Sequence, residues 1–122
     1  MAGVFNATGD TVALADHLEF ARDVAGHTGP LLRADPEWLL TQRVQPWMGP
    51  RSLPLWLTDR DWQGFNARAS AAARSAGLVT RPLPATLADT LAWAQGREPD
   101  RSWVAGLSVA EERELIAAWR NR

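Results

Sequence analysis

Apolar residues recur three or four positions apart near the start of the chain, which is the spacing of one helix face. This pattern predicts a helix that Asp10 or Thr11 caps and that Gly26 ends. A second helix should cover about 36–42, because Asp35 suits a cap and the proline after it suits the first helical position. The apolar positions of the first helix are Leu14, Leu18, Ala21 and Ala25.

Three further helices are predicted in the second half of the chain. An alanine-rich stretch covers 69–76 and should end at Gly77, and the next helix should carry Leu87, Leu91 and Ala94 on one face and stop at Gly96. The last helix should begin with a capping box, in which Ser108 and Glu111 satisfy each other's backbone N–H groups.

Short apolar runs between these helices predict strands at 4–7, 31–33 and 78–81. Together the elements indicate a single α+β domain over 1–122, with four to five helices and a few short strands. The tryptophans at helical positions, Trp38, Trp93 and Trp119, are predicted to lie in the core, and Trp103 is predicted to anchor the connection to the last helix.

The region 44–65 has a different character, because three prolines interrupt it and large apolar side chains crowd it. It is too long and too apolar for an idle linker. We predict that its side chains wall a ligand pocket in which Arg51 or Arg68 holds an acidic group. The alternative is that the same rings complete a small core or cover a missing partner domain. The predicted wall consists of Trp47, Met48, Trp56, Trp62 and Phe65.

Polar residues near these elements are weaker candidates for function. Asn6 and Thr8 follow the first predicted strand, where strand ends face ligands in α/β folds, or they only satisfy the backbone of a turn. Asp59 and Asp61 can act as a general acid or base if burial beside a tryptophan raises the carboxyl pKa; otherwise they are solvated loop charges. The two histidines, ten residues apart, do not form a metal signature.

The amino-acid composition excludes several kinds of binding partner and catalytic group. The net charge of -1 argues against general binding to nucleic acid or an anionic membrane. The absence of cysteine, of a long apolar run and of a secretory leader leads us to expect a cytoplasmic protein without thiolate metal sites. All 13 basic residues are arginine, so no lysine Schiff base is possible. The sequence also contains no tyrosine, so a tyrosine acid or base is excluded as well.

Four segments stand out in order along the chain: GVFNATG at 3–9, NARASAAARSAGL at 66–78, RPLPATLADTLAW at 81–93, and the helix running from GLS at 106–108 to WR at 119–120. The first three resemble the C-terminal substrate-binding part of extended short-chain dehydrogenases/reductases, the NAD-dependent epimerase/dehydratase family. The last resembles an added C-terminal helix of some reductase-like members. At Asn66 the family often has an acidic residue instead.

The resemblance implies a substrate-binding domain that is not redox-active alone. The Gly-rich turn and the Tyr-x-x-x-Lys pair of the family are both missing, so NAD(P) is expected only if a separate nucleotide-binding half supplies its site. The expected partners are a small apolar or acidic molecule and either a second copy or a nucleotide-binding chain. Two alternatives stay open: a stand-alone non-redox enzyme of isomerase or cyclase type, and a non-catalytic dimer or partner-binding protein.

Overall fold

The computed structural model describes residues 3–62, 64–65, 67–97 and 104–122. Within these residues the chain forms five α-helices and one small parallel sheet, so the predicted mixed α+β class is confirmed in its general form. The elements are α1 (Leu14–Val24), α2 (Pro36–Thr41), β1 (Gln45–Pro46), β2 (Ser52–Leu53), a 3-10 turn (Arg60–Trp62), α3 (Ala71–Ser75), α4 (Leu83–Gln95) and α5 (Val109–Arg120).

The chain packs as two compact units, and each unit draws on two separate stretches of sequence. The first unit consists of Met1–Gly29 and Asp61–Arg97, and the second consists of Pro30–Arg60 and Glu98–Arg122. The expectation of a single domain stays a prediction.

In the first unit α1 packs against α4. Gly26, with a φ of 63°, follows the end of α1 as predicted. The predicted cap of α1 is wrong, because the residue before the helix is Ala13 and no side chain caps it. Asp10 and Thr11 lie too far upstream, and the Asp10 carboxylate instead accepts a hydrogen bond from Arg74 at 2.8 Å.

Arg74 on α3 ties two segments of the first unit that have no regular secondary structure to that helix. Its Nη2 donates to Asp10 Oδ1 at 2.8 Å and to Thr80 Oγ1 at 3.4 Å, and its Nε donates to Ser70 Oγ at 3.2 Å. The helix is two residues shorter at its start than predicted, and Gly77 just beyond it has a φ of 104°, a conformation that favours glycine.

The predicted strands at 4–7, 31–33 and 78–81 are wrong, since none of these runs is a strand in the described structure. A strand is stabilised by ladder hydrogen bonds to a neighbour, and a strong apolar pattern cannot supply that neighbour. As a result Val4 is 103% exposed and Val79 is 88% exposed.

The core of the second unit consists of Leu39, Val44 and Leu115, which bring α2 and α5 together with the residue before β1. Both predicted helix starts in this unit are confirmed. The Asp35 carboxylate accepts from two backbone N–H groups of α2, and α5 begins with a complete capping box. Partly buried residues packed against this core are Ala34, Trp38, Leu53, Trp56 and Leu107.

The tryptophans predicted for the core behave differently from one another. Trp38 packs against the core of the second unit and Trp119 is half-buried, but Trp93 is 60% exposed, so the prediction for Trp93 is wrong. Its ring lies under the guanidinium of Arg97 at 4.9 Å, an arrangement that keeps the charge near water. Trp103 lies outside the described residues, as does Asn66.

The longest helix in the described ranges, α4, has 13 residues, and no helix there has the length and apolar character needed to cross a membrane.

Candidate ligand-binding site

The predicted site residues divide between the two units. In the second unit they belong to the segment that carries β1 and β2, and in the first unit they lie around the 3-10 turn and near the start of the chain. The second unit contains Trp47, Met48, Arg51, Trp56 and Asp59, and the first contains Asn6, Thr8, Asp61, Trp62, Phe65 and Arg68.

In the second unit the segment from β1 to Trp56 is folded back on itself. The two strands run parallel with Gln45 opposite Ser52, and the Trp47 N–H lies within hydrogen-bonding distance of the carbonyls of Leu53 at 3.3 Å and Trp56 at 3.1 Å. Trp47 is half-buried, whereas Met48 is exposed. Because the Trp56 ring packs against the core, the alternative that aromatic residues complete a small core describes this position.

Three residues in this segment or just before it that are not glycine have positive φ angles: Arg43, two residues before β1, at 60°, Trp47 at 70° and Arg51 at 51°. Such a conformation costs on the order of 1–3 kcal/mol at each residue and persists only where the surroundings determine it. Two of the three, Trp47 and Arg51, are predicted site residues. Strain concentrated at these positions is typical of segments whose shape matters for function.

Ser52 supplies part of the structure that holds this segment. Its side chain is completely buried, its Oγ donates to the carbonyl of Gly49 at 2.6 Å, and it accepts from the N–H of Gly106 at 2.9 Å. The Ser52 N–H also donates to the Gly106 carbonyl at 3.1 Å. A single hydroxyl therefore links the turn between the strands to the stretch that precedes α5.

The guanidinium of Arg51 is occupied by protein groups. Its Nε donates to the Gln42 carbonyl at 3.1 Å, Nη2 lies 3.1 Å from the carboxylate of Glu114, and Nη1 lies 3.7 Å from the carboxylate of Glu111. Hydrogen bonds from the backbone N–H and hydroxyl of Ser108 lower the pKa of Glu111, and the charge of Arg51 lowers it further. The arginine thus joins the strained segment to α5.

A polar cavity of about 410 Å³ lies beside Arg51. We did not predict its other lining residues, although the spacing of Glu111 and Glu114 on one helix face offered a signal for an acidic partner to an arginine. Positive and negative side chains both line the cavity, so it has no single charge preference. Its lining residues are Thr41, Gln42, Arg43, Arg51 and Glu114.

In the first unit a second cavity, of about 560 Å³, is open to solvent and brings four predicted site residues together. The rings of Trp62 and Phe65 have centroids 5.5 Å apart and are tilted by 48°. Arg68 and Asp61 place opposite charges beside these rings, and Gly64, which we did not predict, is the fifth described residue of the lining. A surface with apolar rings and a few charged groups suits a small organic molecule.

The two candidates near the start of the chain have different surroundings. The Thr8 hydroxyl donates to the backbone carbonyl of Arg68 at 2.9 Å, so it satisfies a backbone group, as its structural alternative expected. This bond also fixes the backbone from which the Arg68 side chain projects. Asn6 is exposed.

The two carboxylates considered for acid/base chemistry, Asp59 and Asp61, are both exposed. The burial beside a tryptophan on which that hypothesis depended is present at neither position. In the described ranges no group of three or more histidine, aspartate or glutamate side chains is arranged to hold a metal ion.

Comparison with known proteins identifies no similar protein. No family model matches the chain, and no curated protein or solved structure shows significant similarity to it.

Proposed function

We propose that this chain is the substrate-binding part of an NAD-dependent epimerase/dehydratase-like reductase, and that it depends on a separate nucleotide-binding half for redox chemistry. The proposal combines the resemblance of three ordered segments to the C-terminal part of extended short-chain dehydrogenases/reductases with the distribution of cavities and exposed apolar surface. In this function the chain binds and orients a small molecule, while the hydride donor is bound elsewhere.

The observation that carries the proposal is the open cavity of the first unit. Four of the five described residues that line it, Asp61, Trp62, Phe65 and Arg68, were predicted as candidate site residues from the sequence alone. The exposed aromatic rings lie beside one negative and one positive side chain, and a bound organic molecule would remove their apolar surface from water, which is favourable.

The segments at 4–7 and 78–81 support the requirement for a second half. Both were predicted to be strands, and both lie in the first unit without forming one. Val4 and Val79 are almost completely solvent-exposed, and a strand of another domain that paired with these segments would cover them. A nucleotide-binding half with a twisted sheet is the partner that the family resemblance implies.

Tryptophan fluorescence tests the ligand-binding part of the proposal. The full chain is titrated with a panel of sugar nucleotides, hydrophobic carboxylic acids and neutral aromatic compounds. We expect at least one class to change the emission saturably, because a ligand over Trp62 alters the environment of a half-exposed indole. Trp62→Phe should remove most of that change.

Trp93→Phe is the matched control, since Trp93 is also an exposed indole of the first unit but does not line the cavity. Its response should equal that of the unaltered chain. If no compound of the panel changes the emission, or if the change persists in Trp62→Phe, the chain does not bind its ligand at this cavity and the proposal is wrong.

A further inference from the structure

The aromatic and charged side chains that line the cavity of the first unit indicate the class of ligand that it binds. Its two rings present apolar surface to solvent, with Trp62 50% exposed and Phe65 39% exposed. The rings are tilted rather than stacked on one another, so a third flat ring can lie against either of them in an offset or edge-to-face geometry. A volume of about 560 Å³ falls within the range of roughly 300–1,000 Å³ that is usual for small-molecule sites.

The two arginines that the sequence offered as anion holders differ in what already surrounds them. Arg51 has two carboxylates and a backbone carbonyl around its guanidinium, so an added anion would have to displace them. The guanidinium of Arg68 makes no ion pair or hydrogen bond to a described residue, although its side chain lines the aromatic cavity. Of the two arginines, Arg68 is therefore the one whose guanidinium can bind an anionic ligand without displacing a described protein group.

We propose that Arg68 holds the carboxylate of an aryl carboxylic acid whose ring lies against Trp62 and Phe65. A planar guanidinium binds a planar carboxylate through two parallel hydrogen bonds, which fixes the orientation of the attached ring. The inference rests on the proposed function, because it names the substrate class of the same cavity.

The charge of Asp61 favours a single carboxylate over a phosphate. Asp61 lines the same cavity, and its negative charge repels an anion more strongly as the charge of that anion increases. A phosphate ester carries up to two negative charges near neutral pH, whereas an aryl carboxylate carries one. Among the described residues that line the cavity, Arg68 carries the one guanidinium that balances either of them.

Two-dimensional NMR of the tryptophan indole N–H groups tests this inference on the full chain. The probes are 2-naphthoate, its neutral amide 2-naphthamide, and inorganic phosphate. We expect 2-naphthoate to shift the Trp62 indole signal saturably and the amide to bind at least about tenfold more weakly, which corresponds to roughly 1.4 kcal/mol. Phosphate should leave that signal unchanged.

Variants of Arg68 test whether this residue binds the carboxylate of 2-naphthoate. Arg68→Gln should weaken 2-naphthoate binding by about tenfold or more and leave binding of the amide unchanged, while Arg68→Lys should retain part of the preference for the acid. The control is Arg33→Gln, which makes the same change in net charge at an exposed position of the second unit. Asp61→Asn should strengthen binding of the acid, because it removes a repulsive charge.

Three results would overturn the inference: equal affinity for the acid and the amide, no effect of Arg68→Gln, or a shift of the Trp62 signal by phosphate alone. Each of these leaves the proposed function standing if another compound of the fluorescence panel still binds at Trp62. If no compound of the fluorescence panel changes the tryptophan emission, the proposed function itself is contradicted.

Discussion

Ser52→Ala removes one hydroxyl from the second unit and offers the sharpest test of how the strained segment is held. The hydroxyl is completely buried and makes two hydrogen bonds, to the Gly49 carbonyl at 2.6 Å and from the Gly106 N–H at 2.9 Å. Alanine fills nearly the same volume, so the substitution leaves packing almost unchanged. It leaves two backbone groups without that partner.

The expected loss follows from those two bonds. A hydrogen bond contributes about 0.5–1.5 kcal/mol net, and a buried polar group left without its partner costs about 1–3 kcal/mol. The Gly106 N–H retains a longer bond to the Gly49 carbonyl at 3.3 Å, which offsets part of the loss. We therefore expect the free energy of unfolding of the second unit to fall by about 1–2 kcal/mol.

Urea unfolding followed by tryptophan fluorescence measures this change, with Ser75→Ala as the control because Ser75 is exposed at the end of α3. Hydrogen exchange of the Gly106 amide reports the same bond directly and should accelerate by roughly 5–30-fold in Ser52→Ala. If Ser52→Ala unfolds at the same urea concentration as Ser75→Ala, the hydroxyl does not hold the segment and our description of it is incorrect.

Four further predictions concern the helices and the residues beside them. Ser108→Ala should cost about 1 kcal/mol in urea unfolding through loss of the cap. The lowered pKa of Glu111 contributes stability above its ordinary pKa of 4.5 that is lost as the pH falls through the lower folded value, so Glu111→Gln should flatten the decline of stability in that acid range. Gly77→Ala should destabilise the first unit by about 1 kcal/mol because of the positive φ, whereas Gly9→Ala, with open space around it, should not. Arg74→Gln should change unfolding by less than about 1 kcal/mol, since its ion pair is exposed, yet it should speed amide exchange at residues 78–80.

Helices were predictable from the sequence because their signals are local. The Asp35 cap, the Ser108 capping box and the glycine after α3 act within four residues of the helix they end or begin. The structure confirms all three. The cap of α1 was predicted wrongly, because the helix begins at Leu14, beyond the reach of Asp10. The carboxylate of Asp10 instead bonds to Arg74, 64 residues away.

Strands were not predictable by the same reasoning, because a strand depends on a neighbour that the local sequence does not encode. The runs at 4–7 and 78–81 have the composition of strands but no ladder, while Gln45–Pro46 and Ser52–Leu53 pair despite their short length and a proline. Their pairing is determined by the fold of the segment around Ser52, which no periodicity reveals.

The candidate site was predictable in its residue types but not in its grouping. The aromatic rings and both arginines were evident from the sequence, and three of them, Trp62, Phe65 and Arg68, line one cavity together with the carboxylate candidate Asp61. The sequence could not separate Arg51 from Arg68, since the difference lies in the carboxylates of α5 that surround Arg51. That contact joins residues more than 60 positions apart.

Calorimetric titration of the full chain with NADH and, separately, with 2-naphthoate tests most directly whether this chain binds a substrate rather than a nucleotide cofactor. We expect heat from 2-naphthoate that saturates with one site per chain, and none from NADH at micromolar concentrations. Micromolar binding of NADH by the chain alone, with no heat from the aryl acid, would contradict the account.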